Sequence, residues 1–481
     1  MFLQQYFGFL HVPPSTHIIT SGNLKNASSM MARHRTQLFH WERPDARVAV
    51  GVRGMNKSRF KRIELPELSV CTVLKMMSGL NVSDGNENPK VVQTDLIHLK
   101  SQASGPFIPL VQFSLENQTI NALFDTGSSN IIVPQKGSPI CQNPAQQCDN
   151  SSASGFVAGA FDTPAGLARF NGDFAALDLA MDGQTVTGTT VGIFTSGSLP
   201  PDAPLFPIFG VGPVQAEAVG STQPQQGRKL RRQAGNFANL YPNLPAHMKE
   251  IGMIKSNAFS VYTNDARAKT GSIVYGGIDT AKFEGQLQEV PLERANDGAL
   301  PSFVIKFSSV SMETGISGSN EINLSSHINN DAPRAAAATT DLAPRDGLPV
   351  TLMDTGAPSI LLPAASLQML ATALGTTFSE QDGLGLIDCQ KLTADSAMVF
   401  RFNNDAIAIR APMDMLVMPQ ELVQDARPGQ CVLPVFPSQD TAVMGLPMLQ
   451  SAHVVFDMDG EKLLMAQAKF NVTESSLREY P

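Results

Sequence analysis

From Phe107 onward, apolar and polar residues alternate in short bursts, as in Leu110 to Leu115 and Thr119 to Phe124. A period of two belongs to strands with one buried face, so the pattern predicts a packed β domain beginning near residue 107. Residues 1 to 104 differ. They are basic, with Arg33, Arg35, Arg47, Arg53, Lys57, Arg59, Lys61 and Arg62 crowded together, and read as an extension or pro-segment. Such a run is either a plain solvated segment or one that lies across an acidic cleft until low pH protonates the cleft. Two later stretches break the alternation: 214–236, which carries Gly227-Arg228-Lys229-Leu230-Arg231-Arg232, and 328–347, which carries Ala335 to Ala338 among Asn, Asp and Pro. Both read as surface insertions with little core of their own.

Composition sharpens this picture. With 38 Gly, 33 Pro and only 16% charged residues, the 481-residue chain favours many short strands joined by turns. Its 42% hydrophobic content can fill two sizeable cores. A formal net charge of -8 argues against a nucleic-acid partner, which needs concentrated Lys and Arg surface. No segment reaches the ~18 to 20 apolar residues of a membrane span. Cys141 and Cys148, then Cys389 and Cys431, form two local pairs with Cys71 left over; two disulfides or five buried thiols both satisfy the count. Sequons at Asn26, Asn56, Asn81, Asn117, Asn150, Asn323 and Asn471 favour the oxidising, glycosylating route. The first residues, Met1 to Pro14, nevertheless make a poor secretory signal, and the C-terminus carries no lipid-anchor tail.

One internal repeat organises the rest. Ala122-Leu123-Phe124-Asp125-Thr126-Gly127-Ser128-Ser129, followed by Ile131-Ile132-Val133-Pro134, returns as Thr351-Leu352-Met353-Asp354-Thr355-Gly356-Ala357-Pro358-Ser359, followed by Ile360-Leu361-Leu362-Pro363. A second pair follows at a distance, Pro207-Ile208-Phe209-Gly210 and Ala442-Val443-Met444-Gly445. The halves therefore read as duplicated β lobes: 105–292 with the first motif and 293–472 with the second, leaving 473–481 as a tail.

Asp and Gly are common turn residues, and each motif alone could be a β-turn. That reading leaves unexplained why a carboxylate should end a strand as apolar as Leu123-Phe124 or Leu352-Met353, where an unpaired charge is costly. If the strand ends meet across a pseudo-two-fold axis, Asp125 and Asp354 can hold one water and share one proton. One carboxylate then deprotonates the water while the protonated one supports a carbonyl oxygen. Thr126 and Thr355 can bond across the axis, Gly127 and Gly356 let backbone N–H groups approach the carboxylates, and Ser128 can donate to the first aspartate.

With these residues, the stretch from about 107 to 470 resembles the pepsin-like aspartic peptidases (family A1), most closely in Asp125 to Asn130, in Asp354-Thr355-Gly356, and in Met444-Gly445 with Val454-Val455-Phe456-Asp457. Tyr241-Pro242-Asn243-Leu244-Pro245, Gly252 to Ser260 and Gly271 to Thr280 are similar, more narrowly, to the secreted and cell-surface (yapsin-like, candidapepsin-like) members of fungi. The resemblance implies a mostly β, bilobal fold with a deep cleft, catalytic Asp125 and Asp354, and disulfides Cys141 to Cys148 and Cys389 to Cys431. It also implies polypeptide substrates bound extended, a monomer, the secretory route to the cell surface, vacuole or exterior, and no metal or cofactor.

Three positions depart from the family. Ile132 stands where Trp is usual, and the only tryptophan, Trp41, lies in the extension. The segment Phe156 to Phe170, where a flap tyrosine would sit, contains no tyrosine; Phe161, just before the turn-like Asp162-Thr163-Pro164-Ala165-Gly166, is the flap candidate, with Phe170 behind it. Ala357 replaces a Ser or Thr that would bond the outer oxygen of the second aspartate. The expectation is an active peptidase with an altered flap; the alternatives are a pepsin-like peptide binder or cell-wall protein without turnover. A Ser/His hydrolase finds no nucleophile setting, since His247 and His453 read as structural, and no Cys/His cluster has metal-ligand spacing.

Overall fold

The computed structural model describes residues 90–481 apart from 102–104, 117, 136–156, 166–167, 199–206, 218–239, 269, 315–337, 345–346, 381–382, 419–427 and 439–440. These residues fall in one compact unit. In the first half the strands are β1 (Val92–Ser101), β2 (Gly105–Leu115), β3 (Gln118–Asp125), β4 (Ile131–Pro134), β5 (Val157–Ala165), β6 (Ala168–Met181), β7 (Gln184–Ser198), β8 (Ile208–Gly210), β9 (Ala258–Tyr262) and β10 (Thr270–Tyr275). They join a 13-stranded sheet in which Gln288–Pro291, Lys462–Gln467 and Ala452–Asp457 precede β9, β10, β1, β2, β3, β8, β4, β7, β6 and β5. No helix among the described residues is long and apolar enough to cross a membrane.

The duplication read from the sequence reappears as strand pairing. β3 runs parallel to β8, β8 antiparallel to β4, and β4 parallel to β7. In the second half Thr351–Met353 runs parallel to Ala442–Met444, that strand antiparallel to Ile360–Pro363, and the last parallel to Val435–Ser438. Short apolar runs such as Ile131–Pro134 and Thr351–Met353 suit these positions because the central strands are covered on both faces. Close crossing explains the glycine ending each second element. A Cβ on Gly210 would lie 2.6 Å from the Asn130 carbonyl oxygen, and one on Gly445 would lie 2.1 Å from that of Ser359.

Aromatic rings tie the halves together below the aspartate loops. Phe113 meets Phe209 at 5.1 Å between centroids, Phe124 meets Phe259 at 6.3 Å, Phe259 stacks on Phe456 at 4.9 Å, and Phe456 meets Phe303 at 4.7 Å. Phe124 and Phe209 approach to 6.4 Å, which closes the chain of contacts. Phe124 and Phe209 each sit next to an aspartate-loop element, and Phe113, Phe259 and Phe456 lie within the 13-stranded sheet, so the core packs directly against the loops.

Strand pairing runs across all three expected boundaries. The 104/105 division falls after a strand of the packed sheet: β1 pairs with β10 from Val92↔Tyr275 to Ile97↔Thr270, and Val92, Thr94 and Leu96 are buried on one face. Its polar Gln93, Asp95 and Lys100 made it resemble the extension. The 292/293 division does not separate the sheets, because Ala452–Asp457 pairs with β9 and so returns the second half to the first sheet. The 473–481 tail contains a paired strand. Leu477–Glu479 pairs with Gly277–Asp279, while buried Asp279 accepts hydrogen bonds from Ser475 Oγ (2.7 Å) and Ser476 N–H (2.7 Å). Of the two expected insertions, 328–347 contributes the paired strand Ala338–Asp341, and 214–236 begins with a 3₁₀ turn, Val214–Ala216.

Candidate active site

Asp125 ends β3 and Asp354 follows Thr351–Met353, so equivalent strand ends deliver both carboxyls to one place. The first loop is fixed from below: Val211 N–H donates to the Asp125 carbonyl at 3.0 Å and Gly212 N–H to that of Ser128 at 2.7 Å. The second loop is held by Leu446 N–H donating to the Ala357 carbonyl at 2.8 Å and by Asp354 N–H donating to the Met444 carbonyl at 3.1 Å. Gly127 N–H donates to Asp125 Oδ1 at 2.8 Å, and Gly356 N–H to Asp354 Oδ1 at 2.9 Å. Each glycine also faces the opposite carboxyl. A Cβ on Gly127 would stand 2.7 Å from Asp354 Oδ2, and one on Gly356 would stand 2.6 Å from Asp125 Oδ1.

The threonines cross the axis as the sequence suggested. Thr126 Oγ1 donates to the Met353 carbonyl at 2.8 Å, and Thr355 Oγ1 to the Phe124 carbonyl at 2.8 Å. The symmetry fails at the next residue. Ser128 Oγ donates to Asp125 Oδ2 at 2.5 Å, whereas Ala357 has no hydroxyl to offer Asp354. Burial pushes the Asp354 carboxyl well above the usual carboxylate range, the Asp125 charge beside it adds to the rise, and backbone N–H groups of Gly356 and Ala357 oppose it. Burial and the neighbouring charge thus both favour the protonated form of Asp354. A buried pair holding one proton can polarise a carbonyl with one member and accept a proton with the other.

Ile132 is buried on β4, opposite Gly192 of β7. Phe161 lies on β5 opposite Gly172, and β5 continues through Asp162, Thr163 and Pro164 to Ala165, which pairs with Ala168. The expected turn directly after Phe161 is thus strand; Pro164 is tolerated because β5 is the edge of the sheet, where a missing N–H costs no ladder bond. The Phe161 and Phe170 side chains lie outside the described residues, as do Cys71, Cys141, Cys148, Trp41 and the 227–232 basic cluster. Cys389 and Cys431 are joined by a disulfide. His247 Nε2 meets the Thr187 carbonyl at 2.8 Å, and His453 is buried against Phe283; neither joins the site.

A polar cluster lies beside the first loop, built from Asn130, Tyr241 and Asn243 of the motifs and from Glu217, which no motif marks. Glu217 is buried, its Oε2 accepts from Tyr241 N–H at 3.1 Å, and burial pushes its carboxyl up to about 8 against the opposing pull of that N–H. Asn130 Nδ2 donates to the Tyr241 hydroxyl at 2.5 Å. Asn243 caps the helix Leu244–Glu250 by accepting from Ala246 N–H at 3.3 Å, and its Nδ2 donates to the Gly212 carbonyl at 2.5 Å. The available signal for Glu217 was a lone carboxylate within the weakly polar Val211 to Val219.

Known proteins resemble this chain in sequence and in fold. Residues 110–468 match the family described as eukaryotic aspartyl protease. The chain is 28% identical over 424 residues to "Probable aspartic-type endopeptidase OPSB" of Arthroderma otae, covering 82% of this chain and 79% of that one. It is 30% identical over 382 residues to the opsB protein of the same description from Aspergillus oryzae, covering 75% and 68%. To the aspartic proteinase yapsin-3 of Saccharomyces cerevisiae it is 25% identical, covering 75% and 66%. The crystal structure of an aspartic proteinase from Irpex lacteus shares the fold with a TM-score of 0.55 at 14% identity, covering 80% of this chain and all of that one. A family match over most of the chain, relatives at this similarity and a common mostly β fold have one conclusion: the chain belongs to the eukaryotic aspartyl protease family.

Proposed function

We propose that the chain is an acid-acting aspartic endopeptidase in which Asp125 and Asp354 hold and activate the attacking water. The observation that carries this reading is the mutual approach of the two loops, which puts each carboxyl against the glycine that follows the other. Asp125, which accepts from Gly127 N–H and Ser128 Oγ, takes a proton from the water. The water oxygen bonds to the scissile carbonyl carbon as Asp354 gives its proton to the carbonyl oxygen. When the C–N bond breaks, the proton on Asp125 passes to the departing nitrogen and Asp354 recovers its own, so the pair ends as it began.

Both carboxyls come from one chain, which supports action as a monomer. The Cys389–Cys431 disulfide supports passage through the secretory route, where such bonds persist. Extended polypeptides are the substrates, and the β5–β6 hairpin, with Phe161 on its outer strand, is the segment proposed to cover them. Cleavage of a denatured protein at about pH 3 to 5, with and without a statine-type inhibitor and beside Asp125→Asn, tests the reading. Cleavage that ignores the inhibitor and survives the substitution would overturn it; binding of extended peptides without turnover would favour the peptide-binding alternative.

A further inference from the structure

We propose that Tyr241 is a positioning residue for the first aspartate loop, acting through Asn130 and bracing that loop against the β5–β6 hairpin. The inference rests on the reading of Asp125 as half of the catalytic pair.

Tyr241 is held at three points that belong to three different parts of the chain. Its hydroxyl accepts from Asn130 Nδ2 at 2.5 Å, its ring meets Phe174 of β6 edge-on at 5.3 Å and 63°, and its backbone N–H donates to Glu217. Asn130 closes the loop that Asp125 opens, and its carbonyl accepts from Gly210 N–H at 3.1 Å. Phe174 stands opposite Gly192 of β7, which stands opposite Ile132 of β4, two residues beyond Asn130. A row therefore runs from Ile132 across the side-chain-free Gly192 to Phe174, and Tyr241 reaches from Asn130, two residues before the start of that row, to Phe174 at its far end.

The chemistry suits a permanent brace. Burial holds the Tyr241 phenol far above its ordinary range against the opposing pull of the Asn130 amide, so the hydroxyl stays neutral wherever an acid protease works. Asn130 is buried, and the Asn130 amide gains a partner whose ring is fixed by packing rather than by water. A displaced Asn130 would carry the Ser128–Asn130 end of the loop with it, and Ser128 is the residue that donates to Asp125 Oδ2.

The test compares Tyr241→Phe, Asn130→Ala and the double variant on a peptide substrate, with active sites counted by titration against a tight statine-type inhibitor so that misfolded protein does not enter kcat. Each single change is expected to lower kcat about tenfold with KM within about twofold, and the double variant to be no slower than the slower single one. A Tyr241→Phe enzyme with wild-type kcat, or single effects that multiply in the double variant, overturns the proposal. Asp125→Asn serves as the control: an inactive Asp125→Asn beside a fully active Tyr241→Phe refutes the brace alone, whereas an active Asp125→Asn refutes the catalytic pair on which it stands.

Discussion

Thr126 and Thr355 exchange hydrogen bonds across the pseudo-two-fold axis: Thr126 N–H donates to Thr355 Oγ1 at 3.1 Å, and Thr355 N–H donates to Thr126 Oγ1 at 3.0 Å. With the two donations to Met353 and Phe124, each hydroxyl is used as both donor and acceptor in a buried setting. Valine at either position leaves a buried N–H and a buried C=O unpaired, at about 1–3 kcal/mol for each group. Thr126→Val and Thr355→Val should each lower the urea midpoint strongly, while Thr126→Ser, which keeps the hydroxyl, should lower it far less. Equal midpoints for the Val and Ser variants would count against this account.

The unequal third position predicts a pH effect. Ala357 occupies the place in the second loop that Ser128 occupies in the first. In Ala357→Ser the new hydroxyl would donate to the Asp354 carboxyl and favour its charged form. In the proposed mechanism the reaction uses a proton on Asp354, so the alkaline limb of the kcat/KM profile should move to lower pH. A limb that stays in place or moves upward would sink the assignment of the proton to Asp354.

Glu217 links stability to pH in an identifiable direction. The folded protein keeps it protonated up to about 8, whereas the unfolded chain loses that proton in the ordinary carboxylate range. Its contribution is complete below about pH 4.5 and is lost as pH rises towards 8. Glu217→Gln, which keeps an acceptor for Tyr241 N–H and cannot ionise, should gain in Tm relative to wild type as pH is raised from about 5 to 8. A constant difference across that range would show that Glu217 does not titrate in the fold.

His453 acts in the opposite sense. Its ring is buried at 4.8 Å from Phe283 with neither nitrogen bonded among the described residues, and burial pushes its pKa down to about 4. The nearby Asp279 charge raises it and that of Lys282 lowers it further. The unfolded chain takes a proton on this residue below about pH 6.5 while the folded one remains neutral, so stability is lost as pH falls from there to about 4. His453→Phe should therefore show a Tm advantage that grows over that interval, read by thermal unfolding at several pH values. An advantage that shrinks on acidification would contradict the neutral state.

The sequence alone determined the mostly β class, the two aspartates at the ends of apolar strands, the crossing threonines and the duplication of the lobes. Those properties are written in contiguous residues, as a period of two and a motif repeated in the same order, so no distant contact is needed to read them. The tertiary structure decided what depends on partners far along the chain. Val92–Ser101 and Leu477–Glu479 are polar enough to pass for extension and tail, and become strands only because β10 and Gly277–Asp279 offer them edges. Glu217 looks like an ordinary surface carboxylate until the fold buries it beside Tyr241. The rise of the Asp354 carboxyl above the usual carboxylate range likewise follows from burial and from a charge 229 residues away in the chain, at Asp125, and neither the local dielectric nor that proximity is encoded in Asp-Thr-Gly itself.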